Sequence, residues 1–317
     1  MQLTENLLYV AAFVGLWYGS GLIVDSIKRL ARKVRIPPFA FSFFVLGFLT
    51  SIPEIGVGIN ALEEGRPEIF VGNLLGSVIV LFLLVIPLLA VLSGGVKVRK
   101  HLGDRDLLVT LGIIAVPALF ALDRTVTNLE GFILIVLYTA LFYIIRVKKG
   151  VLSRVEHMLV NEQQDWRHST LIKLTAGVLV VFVTSRFIVD KTIELSEAYN
   201  FSTFVVSLLI LSVGTNLPEI SLALRSLTSK AEDIALGDYL GSAASNTMLF
   251  GVFTIINNGE VVTVRHFTIT FFIIILSLLG FYVLTRGKSW LTRKEGLALL
   301  ACYLVFLIYE ANQLSSI

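Results

Sequence analysis

Apolar segments long enough to cross a lipid bilayer recur along the whole chain, and they limit what it can fold into. A membrane-spanning helix needs about 20 consecutive, mostly apolar residues. Hydrophobic residues make up 56% of the 317 positions and charged residues only 15%, which excludes a water-exposed surface over most of the chain. We predict an all-α polytopic membrane protein with ten transmembrane helices, at 6–27, 38–62, 68–94, 106–122, 129–146, 170–196, 203–225, 232–256, 266–285 and 294–314.

The lysines and arginines are concentrated in alternate loops between these segments. Of the 26 basic residues, 21 belong to the loops that begin near Lys28, Lys97, Arg146, Arg225 and Arg286. Because cytoplasmic loops are enriched in basic residues, we predict that these loops face the cytoplasm and that the N-terminus lies outside. The basic residues flank membrane spans and do not cover one folded face, so a nucleic acid is not an expected partner. The absence of a long regulatory loop and of a targeting leader is typical of a prokaryotic plasma membrane protein.

The sequence lacks the usual signs of an enzyme or of an ATP-driven pump. It contains neither a pair of zinc-protease histidines at helical spacing nor a glycine loop with a phosphate-binding lysine. His157 and His168 stand eleven positions apart in the hydrophilic segment 147–169, which is typical of a solvated loop and not of a metal site. We therefore predict no catalytic residues, no enzymatic activity and no resident cofactor.

Two six-residue segments are near copies of one another. Residues 49–54 read LTSIPE, and residues 214–219, which lie 165 positions later, read GTNLPE. Each segment places a glutamate, Glu54 or Glu219, inside an apolar run and directly after a proline. A carboxylate at membrane depth is costly and marks a functional site. Because a proline cannot donate a hydrogen bond to the carbonyl four residues before it, we predict that both helices are interrupted here.

The same offset of 165 positions aligns further residues of the two halves. The matches are Ser20, Ile23, Val24 and Asp25 with Ser185, Ile188, Val189 and Asp190; Ser42 with Ser207; and Gly72, Leu75, Gly76 and Ser77 with Gly237, Leu240, Gly241 and Ser242. Each half holds five predicted spans, and because five is odd the second copy enters the membrane from the opposite side. We predict a first five-helix half at 1–146, a cytoplasmic linker at 147–169 and a second half at 170–317. Such inverted repeats are typical of secondary transporters.

Each copy of the motif offers oxygen atoms to one point. Thr50 lies four positions before Glu54, and Thr215 lies four positions before Glu219, so each hydroxyl shares a helix face with its carboxylate. The proline adds a freed backbone carbonyl about one turn earlier. A hard cation such as Ca²⁺ takes 6–8 oxygen ligands, whereas soft metals prefer cysteine or histidine. The sequence therefore predicts a hard-cation site.

Two segments rich in small residues open the third and the eighth predicted helix. Residues 72–77 read GNLLGS, and residues 237–246 read GDYLGSAASN. Small residues permit a close approach of neighbouring helices in a membrane. Asp238 stands where the first half has Asn73; it either adds an acid to the site or caps the eighth helix, and we favour the cap because aspartate is common at helix starts.

At these motifs the chain resembles the cation/calcium exchanger superfamily and, within it, the sodium/calcium exchangers. The family has ten helices in two inverted halves, and each half carries a repeat similar to Gly-Thr-Ser-Leu-Pro-Glu followed by Gly-Asn-x-x-Gly-Ser. The resemblance implies that Glu54 and Glu219 are shared by a calcium site and a central sodium site, with calcium also bound by the carbonyls of Thr50 and Thr215. It further implies one outer sodium site formed by Ser51, Ser77 and the Gly47 carbonyl, and another formed by Asn216, Ser242 and the Ser212 carbonyl.

The chain departs from the family at two positions. Leu81 replaces an amide in the third helix, and Asn246 replaces a frequent aspartate in the eighth. Since leucine cannot bind a cation, the central site would keep Glu54, Glu219 and Asn246 as its polar groups.

The resulting expectation is an antiporter that exchanges Ca²⁺ for Na⁺ by alternating access. Two alternatives stay open: an antiporter of Ca²⁺ or another divalent cation against H⁺, and a transport-inactive membrane sensor or assembly protein. The expected partners are inorganic cations and the lipid bilayer, and the oligomeric state is not predicted.

Overall fold

The computed structural model describes residues 2–31, 42–97, 102–148, 168–229, 232–259, 261–262, 267–286 and 290–313. Within these ranges the chain forms twelve helices: α1 (Gln2–Ala31), α2 (Ser42–Thr50), α3 (Ile52–Glu63), α4 (Pro67–Ser93), α5 (Asp104–Phe120), α6 (Asn128–Lys148), α7 (His168–Ala198), α8 (Thr203–Thr215), α9 (Leu217–Ser229), α10 (Glu232–Ile256), α11 (Phe267–Thr285) and α12 (Arg293–Gln313). Most of the predicted linker at 147–169 lies outside the described residues, as does the end of the predicted loop after Lys28.

Both predicted interruptions are present. Helices α2 and α3 meet at Ser51 with a bend of 43°, and α8 and α9 meet at Asn216 with a bend of 42°. Pro53 and Pro218 are each the second residue of the helix that follows the break. A proline is tolerated in the first turn of a helix, where its missing N–H has no helical partner to lose. The prediction of two broken helices is therefore confirmed.

The described helices include six that are long and apolar enough to cross a membrane: α4, α5, α6, α10, α11 and α12. Each bent pair also passes this test when its two helices are taken together, which raises the number to eight. Helices α1 and α7, of 30 and 31 residues, do not pass it over their described residues, although α1 contains the shorter apolar segment Leu7–Gly19. The chain is a helical integral membrane protein, and the count of ten spans stays a prediction.

Within the described ranges, four short strands join helix ends in two antiparallel pairs. Strand β1 (Gly95–Lys97) pairs with β4 (Trp290–Thr292), and β2 (Thr125–Val126) pairs with β3 (Val261–Val262). In the first pair Val96 lies opposite Leu291, and in the second Val261 lies opposite Val126. Position 261 lies 165 residues after Val96, and position 126 lies 165 residues before Leu291. The repeat offset therefore aligns the first strand pair with the second, and the two pairs are equivalent when the sequence halves are exchanged.

Helices α4 and α10 form the centre of the protein. Their membrane-length segments are 83% and 78% buried, compared with 22% for α6. Helix α4 packs against α8, and α10 packs against α2, while α1 lies along α7. The contact between α4 and α8 is equivalent to the contact between α10 and α2 when the two halves are exchanged. Each central helix therefore lies against the broken helix of the opposite half.

Candidate cation-binding site

The two helix breaks hold two fully buried glutamates. Glu54 lies in the first turn of α3 and Glu219 in the first turn of α9. Oε1 of Glu54 accepts a hydrogen bond from Ser77 Oγ at 3.4 Å, and Oε1 of Glu219 accepts one from Ser242 Oγ at 2.9 Å. Oε2 of each glutamate has no hydrogen-bond partner within the described part of the chain. Each carboxylate thus keeps one buried oxygen for a ligand.

The helix ends at each break favour opposite charges. The carboxyl end of a helix carries a partial negative charge and favours a cation, whereas the amino end favours an anion. Thr50 ends α2, and Glu54 lies in the first turn of α3. Likewise Thr215 ends α8, and Glu219 lies in the first turn of α9. A cation at either break would therefore contact two kinds of group. One is a carboxylate stabilised by the amino end of the following helix, and the other is the backbone carbonyls at the carboxyl end of the preceding helix.

The backbone carbonyls freed by the prolines are used differently from the expectation. The carbonyl of Leu49 accepts a hydrogen bond from the backbone N–H of Ser51, and that of Gly214 accepts one from the N–H of Asn216. The N–H of Asn216 also donates to the Ser212 carbonyl at 3.3 Å, so the helical hydrogen bonding continues up to the second break. The side chains at the breaks bind the preceding turn: Ser51 Oγ donates to the Gly47 carbonyl at 2.8 Å, and Asn216 Nδ2 donates to the Ser212 carbonyl at 2.6 Å.

The two halves meet at the breaks through two equivalent contacts. Ser51 Oγ and Ser242 Oγ are 3.3 Å apart, and Asn216 Nδ2 donates to Ser77 Oγ at 2.7 Å. The family resemblance groups Ser77 with Ser51 and Ser242 with Asn216. Because α10 packs against α2 and α4 packs against α8, each of these serines also contacts the break of the other half. Each serine donates to the glutamate of its own half as well, so the grouping by sequence half stays a prediction.

Two further contacts join the threonines to the opposite half. Thr50 Oγ1 donates to Asp238 Oδ1 at 3.1 Å, and Thr215 Oγ1 donates to Asn73 Oδ1 at 3.1 Å. Helix α10 begins at Glu232, so Asp238 lies in its second turn, and the predicted cap is wrong. Asn73 likewise follows the start of α4 at Pro67 by six residues. Sequence reasoning missed this pair of contacts, although an aspartate aligned with an asparagine inside an apolar run was the signal for it.

The two departures from the family lie in different surroundings. Leu81 is fully buried in a π-helical segment of α4, Val80–Val85. Asn246 is 2% exposed, and neither atom of its amide has a hydrogen-bond partner within the described ranges. Asn246 borders a small cavity between α4, α5 and α10, with Leu74, Leu75, Val78, Ile114, Pro117, Thr247 and Phe250.

The charged side chains described at the site are acidic. Glu54, Glu219 and Asp238 are all fully buried, and the buried side chains of the described residues include no lysine or arginine. Within those residues, no three His, Cys, Asp or Glu side chains converge on one point. A cation at the glutamate pair would therefore take its remaining oxygens from hydroxyl, amide and carbonyl groups. An ionised carboxylate buried without a cation or other partner is strongly disfavoured, so the arrangement suits a hard cation.

The fold and the sequence both match known cation transporters. A structure of the sodium-calcium exchanger NCX_Mj soaked with 2.5 mM Na⁺ and 10 mM Sr²⁺ superposes with a TM-score of 0.70 at 23% identity, covering 97% of this chain and 99% of the other. The putative antiporter CaxA of Alkalimonas amylolytica is 26% identical over 82% of this chain and 83% of its own length. The sodium/calcium exchanger MaX1 of Methanosarcina acetivorans is 24% identical over 97% of this chain and 99% of its own length.

The family comparison covers most of the protein. The family described as sodium/calcium exchanger protein matches residues 6–147 and again residues 169–311. These segments include both helix breaks, both buried glutamates and all four strands. The chain belongs to the sodium/calcium exchanger protein family.

Proposed function

We propose that this protein is a secondary active antiporter that exchanges Ca²⁺ for Na⁺ at Glu54 and Glu219 by alternating access. The observation that carries the proposal is the pair of equivalent helix breaks, each with a fully buried glutamate that leaves Oε2 without a hydrogen-bond partner in the described ranges. The names of MaX1 and CaxA, and the family match, support cation exchange. As a transporter, the protein has no enzymatic activity and no resident cofactor in this proposal.

The donor set favours Ca²⁺ as the divalent cation. Two carboxylates match its charge, and the carbonyls of Thr50 and Thr215 complete a set made of oxygen only. Sodium, which also prefers oxygen ligands, would bind between the halves. One position would use Ser51, Ser242 and the Gly47 carbonyl, and the other would use Asn216, Ser77 and the Ser212 carbonyl, following the contacts in the structure. Asn246 would add its amide oxygen near the glutamate pair.

Obligatory exchange follows from the buried charges. When the site is empty, Glu54 and Glu219 repel one another and neither has a buried basic residue to compensate for it among the described side chains. The empty site would therefore cross between its inward-facing and outward-facing states slowly. A cation must accompany the change of access in both directions, and that requirement makes the protein an exchanger and not a channel.

The proposed architecture has ten spans in two inverted halves, with the N-terminus outside and the membrane being the plasma membrane of a prokaryote. The equivalent strand pairs and equivalent site contacts support the inverted repeat. The bacterial and archaeal relatives support the prokaryotic membrane. The distribution of basic residues supports the orientation.

Proton coupling is the second candidate, and Leu81 favours it. A leucine offers no oxygen to a sodium ion, and Asn246 borders an otherwise mostly apolar cavity. The central position is therefore a poorer site for Na⁺ than a position with two amides or an added carboxylate. Two buried carboxylates can also be neutralised by protons.

A flux experiment separates the two couplings. Purified protein in proteoliposomes loaded with Na⁺ is diluted into sodium-free buffer that contains radioactive Ca²⁺, and uptake is compared with uptake driven by an imposed pH gradient without Na⁺. Our proposal expects uptake only with the Na⁺ gradient. Uptake driven by pH in the absence of Na⁺ would assign proton coupling, and replacing Ca²⁺ with Mn²⁺ or Sr²⁺ tests divalent selectivity.

Matched variants connect the flux to the site. Glu54→Gln and Glu219→Gln should each abolish Ca²⁺ uptake, because each removes one of the two site charges. Glu197→Gln is the control, since Glu197 is 65% exposed and pairs with Arg66 at the surface; its uptake should stay at the level of the unmodified protein. Calcium binding without flux in the unmodified protein would instead support a sensor or assembly role.

A further inference from the structure

Helix α10 holds Glu219 at two points. The hydroxyl of Tyr239 donates a hydrogen bond to the backbone carbonyl of Glu219 at 3.3 Å, and Ser242 Oγ donates to its Oε1 at 2.9 Å. Tyr239 and Ser242 are three positions apart on α10, so they lie on the same face of the helix. Both side chains are fully buried. One face of α10 thus holds the main chain and the side chain of Glu219 together.

The first half holds Glu54 differently. The repeat offset of 165 positions places Leu74 and Ser77 of α4 where α10 has its two donors. Ser77 Oγ donates to Oε1 of Glu54 at 3.4 Å, which is longer than the equivalent contact of Glu219. Leu74 is also buried, but a leucine side chain has no hydroxyl to donate. From this position, a central helix can therefore hold the backbone at the glutamate only in the second half.

The two contacts from α10 fix the place of the remaining carboxylate oxygen of Glu219. This atom, Oε2, is buried and has no hydrogen-bond partner within the described part of the chain. Because the backbone carbonyl and Oε1 are both held, Oε2 changes its position only if α9 moves on α10 or the contact with Ser242 breaks. Hydrogen bonds to a ligating group orient it and tune how it binds a metal ion. Tyr239 therefore acts on the site through Glu219.

We propose that Tyr239 is a positioning residue that sets the size selectivity of the cation site by fixing Glu219. Selectivity among divalent cations depends on the size of the site, the number of ligands and their flexibility. A fixed carboxylate favours the ion whose radius matches its position, whereas a mobile carboxylate adjusts to a larger ion at little cost. This inference rests on the proposed function, because it concerns what the glutamate pair of that site selects.

Tyr239→Phe tests this role, because it removes one hydroxyl and keeps the ring that fills the space. Equilibrium binding of radioactive Ca²⁺ to the purified protein gives the Ca²⁺ affinity, and competition by the larger ion Sr²⁺ gives the Sr²⁺ affinity. Tyr239→Phe should lower the Ca²⁺ affinity about fivefold, as expected for one lost hydrogen bond, and the Sr²⁺ affinity by less than about twofold. The ratio of the two affinities therefore shifts toward Sr²⁺. Tyr138→Phe is the control, since the Tyr138 hydroxyl contacts Ser245 of α10 at 3.4 Å, and it should leave the ratio unchanged.

Hydrogen exchange tests the contact with Glu219 without a bound cation. Amide exchange reports local opening of a helix. Tyr239→Phe should therefore speed the exchange of the backbone amides at 220–223, in the first turns of α9, about fivefold. Tyr138→Phe should leave their exchange unchanged, and size-exclusion chromatography checks that both variants are folded.

The outcomes separate the inference from the proposed function. Equal losses of affinity for Ca²⁺ and Sr²⁺, or unchanged exchange in α9, would overturn the role of Tyr239 even if the unmodified protein exchanges Ca²⁺ for Na⁺. If the unmodified protein binds both cations but transports neither, the antiport proposal fails, and the affinity ratio still tests the inference. A protein that binds neither cation would overturn both proposals.

Discussion

Gly241 packs so closely against Phe43 that a Cβ atom at position 241 would lie 1.9 Å from the Phe43 carbonyl oxygen. The equivalent contact joins Gly76 to the carbonyl oxygen of Leu208, where a Cβ would lie at 2.4 Å. These two approaches set the distances between α10 and α2 and between α4 and α8. They therefore determine whether Ser242 and Ser77 reach the breaks of the opposite half.

The first prediction concerns this close approach. Gly241→Ala places a methyl group against a backbone oxygen that cannot move aside without shifting a helix, so we expect a loss of about 1–3 kcal/mol of stability together with loss of Ca²⁺ uptake. The thermal unfolding midpoint in detergent measures the first effect and proteoliposome flux the second. Gly112→Ala is the control, because a methyl group at position 112, inside α5, would meet no described atom within 4 Å. Equal midpoints for the two variants would contradict the argument.

The second prediction concerns which serines act together. Ser51 and Ser242 are in contact, whereas Ser51 and Ser77 belong to different contacts. The effects of Ser51→Ala and Ser242→Ala on the half-saturating Na⁺ concentration should therefore be non-additive, with a coupling of about 0.5–3 kcal/mol, and those of Ser51→Ala and Ser77→Ala should add. A double-mutant cycle on Na⁺-driven exchange measures both. Coupling between Ser51 and Ser77 alone would support the grouping by sequence half.

The third prediction concerns the helix break at Asn216. Pro218→Ala restores an N–H that can donate to the Gly214 carbonyl, which would draw α8 and α9 toward one continuous helix and move Glu219 away from Ser242. We expect at least a tenfold loss of Ca²⁺ affinity, equivalent to about 1.4 kcal/mol, measured by equilibrium binding of radioactive Ca²⁺. Pro117→Ala, in α5 and outside both breaks, should change the affinity much less. Similar losses of Ca²⁺ affinity in both variants would show that the effect does not depend on the helix break at Asn216.

The fourth prediction concerns the missing amide. Leu81→Asn places an oxygen one helical turn beyond Ser77 on α4, so we expect Na⁺ to activate Ca²⁺ exchange at a lower concentration and with a higher Hill coefficient. Leu83→Asn is the comparison, because Leu83 is also buried in the same π-helical segment but projects from a different face. The Na⁺ dependence of flux measures the change. An unchanged Hill coefficient in Leu81→Asn would argue that Na⁺ does not use the central position.

Much of the candidate site could be predicted because its signals are local in the sequence. A proline directly before a glutamate in an apolar run predicts a helix break and a buried carboxylate, whatever the run packs against. The offset of 165 positions predicts that the two breaks are equivalent, and the structure shows equivalent contacts at Thr50 and at Thr215. These conclusions need only backbone chemistry and the cost of burying charge.

The spans predicted at 68–94 and 232–256 begin within one residue of α4, which starts at Pro67, and of α10, which starts at Glu232. What the sequence pattern misplaces is the two small-residue segments: 72–77 and 237–246 lie inside their helices and do not open them. Glycines in a membrane helix permit close packing as well as helix ends, and the sequence does not distinguish these uses. The predicted cap at Asp238 fails for the same reason, and the place of this residue in the second turn puts it beside Thr50.

Three features follow from the sequence alone: the chain lies in a membrane, proline breaks two of its helices, and each break holds a glutamate among oxygen donors. Which side chains meet at each break depends on the packing of the helices. Ser242 reaches Ser51, and Ser77 reaches Asn216, because the central helix of each half packs against the broken helix of the other. That choice depends on helix faces brought together over more than 100 residues of sequence, and local patterns carry no information about such distant packing.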